Sequence, residues 1–270
     1  MIIARSSYRN SQEEQCIVDL RKVVFCEKLL YEYYARYVET AMIPDLLGKT
    51  ICVSAYQYRS LHKLVVQAAA LLNMPVPSVH IYEDFYYGAE IKGLKEPRIM
   101  ISAKTVSDFN ESELLFILGK QLGHITNGHH YWQTICEQYL KAIDQLNQMP
   151  IVGNLSQVGG IDAVGLSFKI VMYKWSRISE YTGDACGYLI SGDIGSCVSV
   201  IKNLILNNRK LADGLDLSEY LKQADAINNC DEIVARLSKN DEMVPYGPFR
   251  IMELIRFASC EKTKIMVESM

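Results

Sequence analysis

The spacing of apolar residues predicts two helices followed by three short strands in the first part of the chain. Apolar side chains recur three and four positions apart over residues 11–42, which predicts a long amphipathic helix. Pro44 and Gly48 are expected to interrupt it, and a second helix is predicted over residues 56–72. Three runs rich in Val, Ile and Tyr then predict a small sheet, at residues 78–83, 88–93 and 98–102.

The remainder of the chain has the apolar spacing of helices. They are predicted over residues 111–127, 131–147, 160–175, 177–191, 193–207, 229–238 and 248–260. The expected fold class is therefore α+β, predominantly helical, with a small β-sheet. We expect a helical N-terminal extension over residues 1–55, a main domain over 56–260 and a short tail over 261–270.

The composition excludes several classes of partner and location. The 28 Lys and Arg residues against 31 Asp and Glu residues leave no basic stripe, so no nucleic acid is expected as a partner. The most apolar stretch, residues 150–175, carries polar and charged side chains and several Gly and Pro residues, so no membrane span is expected. Eight scattered cysteines and the absence of a secretory signal favour a cytoplasmic protein with reduced thiols.

Three polar residues interrupt the most apolar predicted helix, LLFILGKQLGHI. Asn110 and Glu113 form a capping pair at the predicted start of this helix. Lys120 and His124 are four positions apart and therefore share one face, with Gln121 between them. This is the spacing of H-E-x-x-H, in which two histidines bind zinc and the glutamate activates a water molecule. Here the same frame reads K-Q-L-G-H, so two of the three working residues are replaced.

A second polar pair follows in the stretch SRISEYTGDACGYLISG. Glu180 and Asp184 are again four positions apart, and Gly183 and Gly187 would let another helix approach closely. If this face meets the helix with Lys120, two carboxylates converge on one lysine and one histidine. Removing the ammonium group from such a buried cluster would leave an unpaired charge.

These motifs resemble those of the HtpX-like and CAAX-prenyl-protease-like zinc metallopeptidases. That family combines an edge strand, an apolar helix with H-E-x-x-H-x-x-x-G-H and a later helix with E-x-x-x-D, as in ELLFILGKQLGHITNGHH and SRISEYTGDACGYLISGD of this chain. The resemblance covers about residues 56–260. It implies a zincin-like metallopeptidase fold with an active-site helix.

The resemblance also assigns roles to positions. It makes His124 the second zinc histidine, Glu180 the glutamate ligand and Asp184 the carboxylate that supports the first histidine. Lys120 stands in place of that first histidine, and Gln121 in place of the general base. The family often has a His-Pro pair near the C-terminus, where this chain reads Y-G-P at residues 246–248.

The replacements predict a site without zinc. A catalytic zinc needs three protein ligands and an open position, and two carboxylates favour the charged form of Lys120, which cannot coordinate a metal. We therefore expect no cofactor, and an ammonium group that bridges Glu180 and Asp184 in or near the vacated metal position. Gln121 lacks the carboxylate that accepts a proton from water.

The strand predicted over residues 88–93 matches the edge strand on which this family holds an extended substrate. Ala89, Glu90 and Ile91 are therefore candidate peptide-binding residues, since backbone hydrogen bonds can hold a peptide of almost any sequence. The alternative is a plain edge strand that Glu90, Lys92 and Lys95 shield from other chains.

Three functional hypotheses follow. The first is a catalytically inactive peptidase homologue, a pseudoenzyme, that binds a peptide or protein partner. The second is a zinc-dependent endopeptidase with an altered site, in which His124 and Glu180 hold the metal, alone or with His129 or His130. The third is a helical protein with only a superficial resemblance, in which the two polar pairs do not meet.

Overall fold

The computed structural model describes residues 2–148, 160–230 and 242–269, with the side chains of 146–148 and 160–164 excepted. The helix predicted over residues 229–238 falls almost entirely outside the described residues. So does the first part of the apolar stretch at 150–175.

The N-terminal segment forms three helices, where the pattern predicts one. A short 3-10 turn, Arg5–Ser7, precedes α1 (Glu13–Val23), α2 (Glu27–Tyr33) and α3 (Glu39–Lys49), and a π-helical turn, Tyr34–Val38, joins the last two. The prediction of an unbroken helix was wrong at Val24, which adopts an extended conformation. It was also wrong at Pro44, which lies inside α3. Pro44 is tolerated there because Thr40, whose carbonyl loses its helical partner, is exposed to water.

Four strands form a mixed sheet in the order β1-β2-β4-β3. The strands are β1 (Thr50–Cys52), β2 (Val79–Tyr82), β3 (Ala89–Lys92) and β4 (Arg98–Ser102), and α4 (Arg59–Leu71) connects β1 to β2. β2 and β4 are parallel, whereas β1 and β3 pair with them in antiparallel fashion and lie at the two edges. The three predicted strands are confirmed; β1 was missed because it is only three residues long.

The remaining secondary-structure elements of the described chain are helices. They are α5 (Ala103–Asp108), α6 (Glu111–Thr126), α7 (His129–Gln148), α8 (Gly160–Ser191), α9 (Ile194–Leu206), α10 (Arg209–Asp213), α11 (Leu217–Asn228), α12 (Gly247–Ser259) and α13 (Glu261–Glu268). The predicted α+β class with helix predominant is confirmed. The two helices predicted over 160–191 are one continuous helix, since no Gly or Pro stands near Ser176 to end the first. Within the described residues, none of the helices combines the length and apolarity needed to cross a bilayer.

The start of α6 is fixed by the predicted capping pair. Asn110 accepts a hydrogen bond from the backbone N–H of Glu113, and the Glu113 carboxylate accepts one from the N–H of Asn110. Glu113 is buried and also binds the guanidinium of Arg209 and the hydroxyl of Ser199. This capping box therefore anchors α6 to α9 and α10 and sets where its polar residues lie.

α6 and α8 share the most extensive helix–helix contact among the described elements. Glycines make it possible: a Cβ at Gly187 would lie 2.6 Å from the backbone oxygen of Phe116, and one at Gly123 would lie 2.6 Å from Cβ of Cys186. The prediction that small residues on α8 let another helix approach closely is confirmed. The apolar interior consists of two clusters: one joins α4, the sheet, α6, the second half of α8, α9 and α12, and the other joins α1, α2, α7 and the first half of α8.

We expect Gly187→Ala to destabilise the fold by about 1–3 kcal/mol, because the new methyl group meets backbone that cannot move without separating α6 from α8. Gly165→Ala on the same helix is the matched control, since its Cβ would meet no atom closer than 3.7 Å. That control should be neutral or gain up to about 1 kcal/mol from helix propensity. Urea denaturation of both variants tests the packing, and equal stabilities would contradict it.

Candidate functional site

The polar faces of α6 and α8 meet in the interior. The Lys120 ammonium lies 2.6 Å from Oε2 of Glu180 and 3.5 Å from Oδ1 of Asp184. The Lys120 and Asp184 side chains are 11% and 2% exposed, and that of Glu180 is 18% exposed. The groups are thus packed together with little access to water, which makes their mutual charge balance necessary.

Asp184 has a second and closer partner on α12. Arg250 donates two hydrogen bonds to its carboxylate, from Nε at 2.7 Å and from the second guanidinium nitrogen at 2.8 Å. Burial would lower the pKa of Arg250, but Asp184 and Glu180 raise it above its ordinary value, so the guanidinium is charged. The expected ammonium bridge between Glu180 and Asp184 is therefore unequal: Lys120 binds mainly Glu180, while Arg250 holds Asp184.

The electrostatics of Glu180 follow from these cations. Burial alone would raise the pKa of its carboxyl, but Lys120, Arg250 and His124 hold it below the ordinary value of 4.5. Glu180 is therefore ionised at neutral pH. Its charged form contributes stability above the ordinary pKa, and that contribution is lost as the pH falls through the lowered folded-state value.

His124 completes the group at the edge of α8. Its Nε2 lies 3.7 Å from Oε1 of Glu180, and a Cβ at Gly183 would come within 2.5 Å of the same nitrogen. Gly183 therefore makes the space in which the ring lies. Burial, followed by the proximity of His129, lowers the pKa of His124 to about 3, so the imidazole is neutral.

A second row of buried polar groups lies behind His124. Its Nδ1 is 2.7 Å from Nδ1 of His129, whose Nε2 is 3.1 Å from Oε1 of Glu13 on α1. Glu13 also accepts hydrogen bonds from Arg9 and Thr182. Burial would raise the pKa of Glu13, but His129, Thr182 and Arg9 lower it below the ordinary value. The N-terminal segment thus reaches the candidate site through one fully buried carboxylate.

Gln121 points away from this cluster and towards the sheet. Its Nε2 donates a 3.0 Å hydrogen bond to the backbone oxygen of Ala89 on β3. The glutamine is buried at 6% exposure, so the hydrogen bond is shielded from water. The position at which the resemblance implies a general base therefore carries an amide whose N–H is hydrogen-bonded to the Ala89 oxygen.

The structure brings together Lys120, His124, Glu180 and Asp184 of the predicted degenerate site, whereas the Gln121 side chain faces β3. Sequence reasoning missed Arg250 and Glu13, although each had a signal. Both charges lie on otherwise apolar helical stripes, Glu13 with Cys16 and Leu20 and Arg250 with Leu254, and a charge in such a place requires a buried partner. His130 borders the group, since His129 and the backbone of His124 both act on its pKa, which burial lowers. His62 lies on α4 and His80 on β2.

A comparison with known protein families shows to which family the chain belongs. The profile of peptidase family M48 matches residues 55–243, more than half of the chain. The chain belongs to peptidase family M48. Family membership confirms the broad prediction of a metallopeptidase-like protein, and it favours neither the HtpX-like nor the CAAX-prenyl-protease-like branch.

A curated plant relative supports this family. The plastoglobule-localized metallopeptidase 48, chloroplastic, from Arabidopsis thaliana is 24% identical over 220 residues, which are 80% of this chain and 60% of the relative. The chain thus spans somewhat under two thirds of that relative's length. No solved structure was found to match the chain.

Family M48 consists of zinc metallopeptidases. Zinc binding at this site would require suitable side-chain ligands. Among the residues that the structure describes, no group of three His, Cys, Asp or Glu side chains is placed to hold a metal ion. Lys120, which the resemblance aligns with one ligand, contacts Glu180 through an ammonium group that has no lone pair to donate. The residues present do not fit a catalytic zinc.

We expect Lys120→Met to cost about 3–5 kcal/mol at neutral pH, because it leaves Glu180 ionised and unpaired in a nearly dry site. The loss relative to the unaltered protein should shrink as the pH falls, because burial raises the pKa of the unpaired Glu180 carboxyl and protonation then removes the unpaired charge. Denaturant titrations across this pH range measure both effects.

The matched control is Lys120→Met combined with Glu180→Gln, which removes both charges. This double variant should regain a large part of the lost stability. A double variant as unstable as the sum of its two single changes would show that the ion pair does not govern the site.

Proposed function

We propose that this protein is a non-catalytic member of family M48 that binds a peptide or protein partner through the old substrate cleft. The observation that supports this most directly is the 2.6 Å contact between the Lys120 ammonium and Glu180 at the family's metal position. An ammonium group supplies positive charge there without Lewis acidity. The scaffold and its charge balance are kept, while the chemistry of hydrolysis is lost.

The hydrolytic step also lacks a base. An amide has no basicity at neutral pH, so Gln121 cannot take a proton from an attacking water molecule. His124 is neutral and near Glu180, but its Nδ1 already contacts His129. The two other carboxylates of the described site, Glu180 and Asp184, are bound to Lys120 and Arg250.

The partner that fits the cleft is an extended chain segment. β3 lies at an edge of the sheet beside α6, so residues Ala89, Glu90 and Ile91 are the proposed peptide-binding strand. Glu90 and Lys92 form a 2.8 Å ion pair on this strand, which matches the alternative of a shielded edge. A measurement of peptide binding distinguishes a peptide-binding strand from a shielded edge strand.

The second candidate function is a zinc-dependent endopeptidase with an altered site. The family itself favours it, and His129, 2.7 Å from His124, offers one more imidazole near the proposed ligands His124 and Glu180. This alternative requires the Lys120 side chain to leave its 2.6 Å contact with Glu180. Leaving it would break a buried ion pair.

Location and domain organisation complete the proposal. Cytoplasmic location stays a prediction, since the Arabidopsis relative is named for a chloroplast plastoglobule. We also propose residues 1–55 as an extension of the M48 domain, because the family match begins at residue 55. This extension packs against the domain. The backbone N–H of Ile3 donates a hydrogen bond to the oxygen of Leu71, and the Glu13 carboxylate contacts Nε2 of His129.

We expect the purified protein to contain far less than one zinc ion per chain and to leave a quenched-fluorescent peptide library uncut. Lys120→His combined with Gln121→Glu restores the family motif, and this variant should bind about one zinc per chain. Elemental analysis and native mass spectrometry measure the metal directly, and the peptide library measures hydrolysis with and without a chelator.

Adding Glu180→Gln to the restored variant is the control, since removal of a proposed ligand should release the zinc again. The opposite pattern would support the second candidate function: one tightly bound zinc in the unaltered protein, with peptidase activity that His124→Ala abolishes.

A further inference from the structure

The register of β3 against β4 shows which of its backbone groups face the free edge. Ala89 lies opposite Ile101, and the N–H of Ser102 donates to the oxygen of Gly88. In an antiparallel pair this places the backbone groups of Gly88 and Glu90 towards β4 and those of Ala89 and Ile91 away from it. An added strand would therefore use the N–H and C=O groups of Ala89 and Ile91.

Gln121 already occupies one of these four groups. Its amide reaches across from α6 and donates to the Ala89 oxygen at 3.0 Å, where an added peptide would donate its own backbone N–H. The side chain thus occupies the place of a peptide amide. In the described part of the chain, neither the N–H nor the C=O of Ile91 has a partner on this side.

The edge beside Ile91 opens onto a small cavity of about 120 Å³. The N-terminal helices and α7 form its walls, with Tyr34, Val38 and Met42 on one side and Gln133, Glu137 and Gln138 on the other. The two halves of the edge therefore differ: Gln121 occupies the Ala89 carbonyl, whereas the backbone groups of Ile91 border this cavity without a hydrogen-bond partner among the described residues.

We propose that Gln121 is an intramolecular competitor for the peptide-binding edge, whose amide must leave the Ala89 carbonyl before an extended peptide can pair along the whole strand. This inference rests on the proposed function, because it concerns how that same edge is regulated. Gln121 then lowers the affinity of any peptide that needs Ala89 and leaves the Ile91 half available.

The chemistry of the side chain explains why an amide is needed. A glutamate at this position, as in the family motif, has only acceptor oxygens when ionised and would face the Ala89 oxygen without a donor between them. The glutamine that removes the base also gains this hydrogen bond. The competitor is therefore a property of this chain and not of the H-E-x-x-H motif.

The test compares the unaltered protein with Gln121→Met, which keeps a side chain of similar length and removes the donor. Decapeptides are selected from a random phage-displayed library against each protein separately, synthesised, and measured with both by fluorescence anisotropy. We expect Gln121→Met to bind peptides of either selection roughly two- to tenfold more tightly, the range of one net hydrogen bond. Gln121→Glu should show the same direction, and Gln67→Met, exposed on α4, should leave the affinity unchanged.

Two further measurements locate the effect at the strand edge. Hydrogen exchange at the Ile91 amide should slow when peptide binds to either protein. In a second series, each peptide amide is replaced in turn by an ester, which removes one N–H donor. At one position this replacement should weaken binding to Gln121→Met more than binding to the unaltered protein, because only the unaltered protein can offer the Gln121 amide to the Ala89 oxygen instead.

The outcomes separate the inference from the function on which it rests. Equal affinities of the unaltered protein, Gln121→Met and Gln121→Glu, with Ile91 protected in each, would overturn the competitor and leave peptide binding intact. Peptides that bind none of the three proteins, or bind without protecting Ile91, would overturn the proposed edge function and the competitor with it.

Discussion

The structure depends on the neutrality of one buried group of charges between α6, α8 and α12. Two carboxylates, Glu180 and Asp184, face two cations, Lys120 and Arg250, and each carboxylate has a short contact to a different cation. Leaving any one of the four unpaired in such a place costs several kcal/mol, about 3–5 for a broken buried pair. The group is therefore constrained as a set, and no single member can change its charge without a compensating change nearby.

The close packing of α6 on α8 makes this arrangement possible. Gly183 and Gly187 remove the side chains that would hold the helices apart, and the His124 ring lies directly over Gly183. The N-terminal segment supports the same place from behind, because Glu13 contacts His129 and His129 contacts His124. The same short stretch of α6 and α8 thus contains the glycines of the close helix contact, the buried charges and the pair of buried imidazoles.

Helical geometry alone predicts that Lys120 and His124 share one face of their helix, and that Glu180 and Asp184 share one face of theirs. That the two faces meet was implied by the resemblance to the zinc metallopeptidases, and the structure shows the contact. Arg250 was not predicted: its place on an apolar helical stripe signals a buried partner but does not identify Asp184 as that partner.

The shape of the N-terminal segment could not be predicted for a related reason. Its apolar spacing continues across Val24 and the π-helical turn Tyr34–Val38, and periodicity alone does not reveal where such a chain changes direction. The hydrogen bond from Gln121 to Ala89 also depends on tertiary structure, since it joins a helix and a strand edge that the sequence places 32 positions apart.

The two replacements in the motif, Lys120 and Gln121, compensate each other in net charge. A zinc peptidase site of this pattern would hold a doubly charged cation, a neutral histidine and an ionised glutamate where this chain has Lys120 and Gln121. Losing the zinc and the glutamate together removes one net positive charge, and the Lys120 ammonium restores one. Changing Lys120 alone would leave Glu180 without its 2.6 Å partner, and restoring a glutamate alone would add an unpaired carboxylate beside the Ala89 oxygen. In the proposed non-catalytic protein, this pair of replacements therefore keeps the interior neutral without a metal.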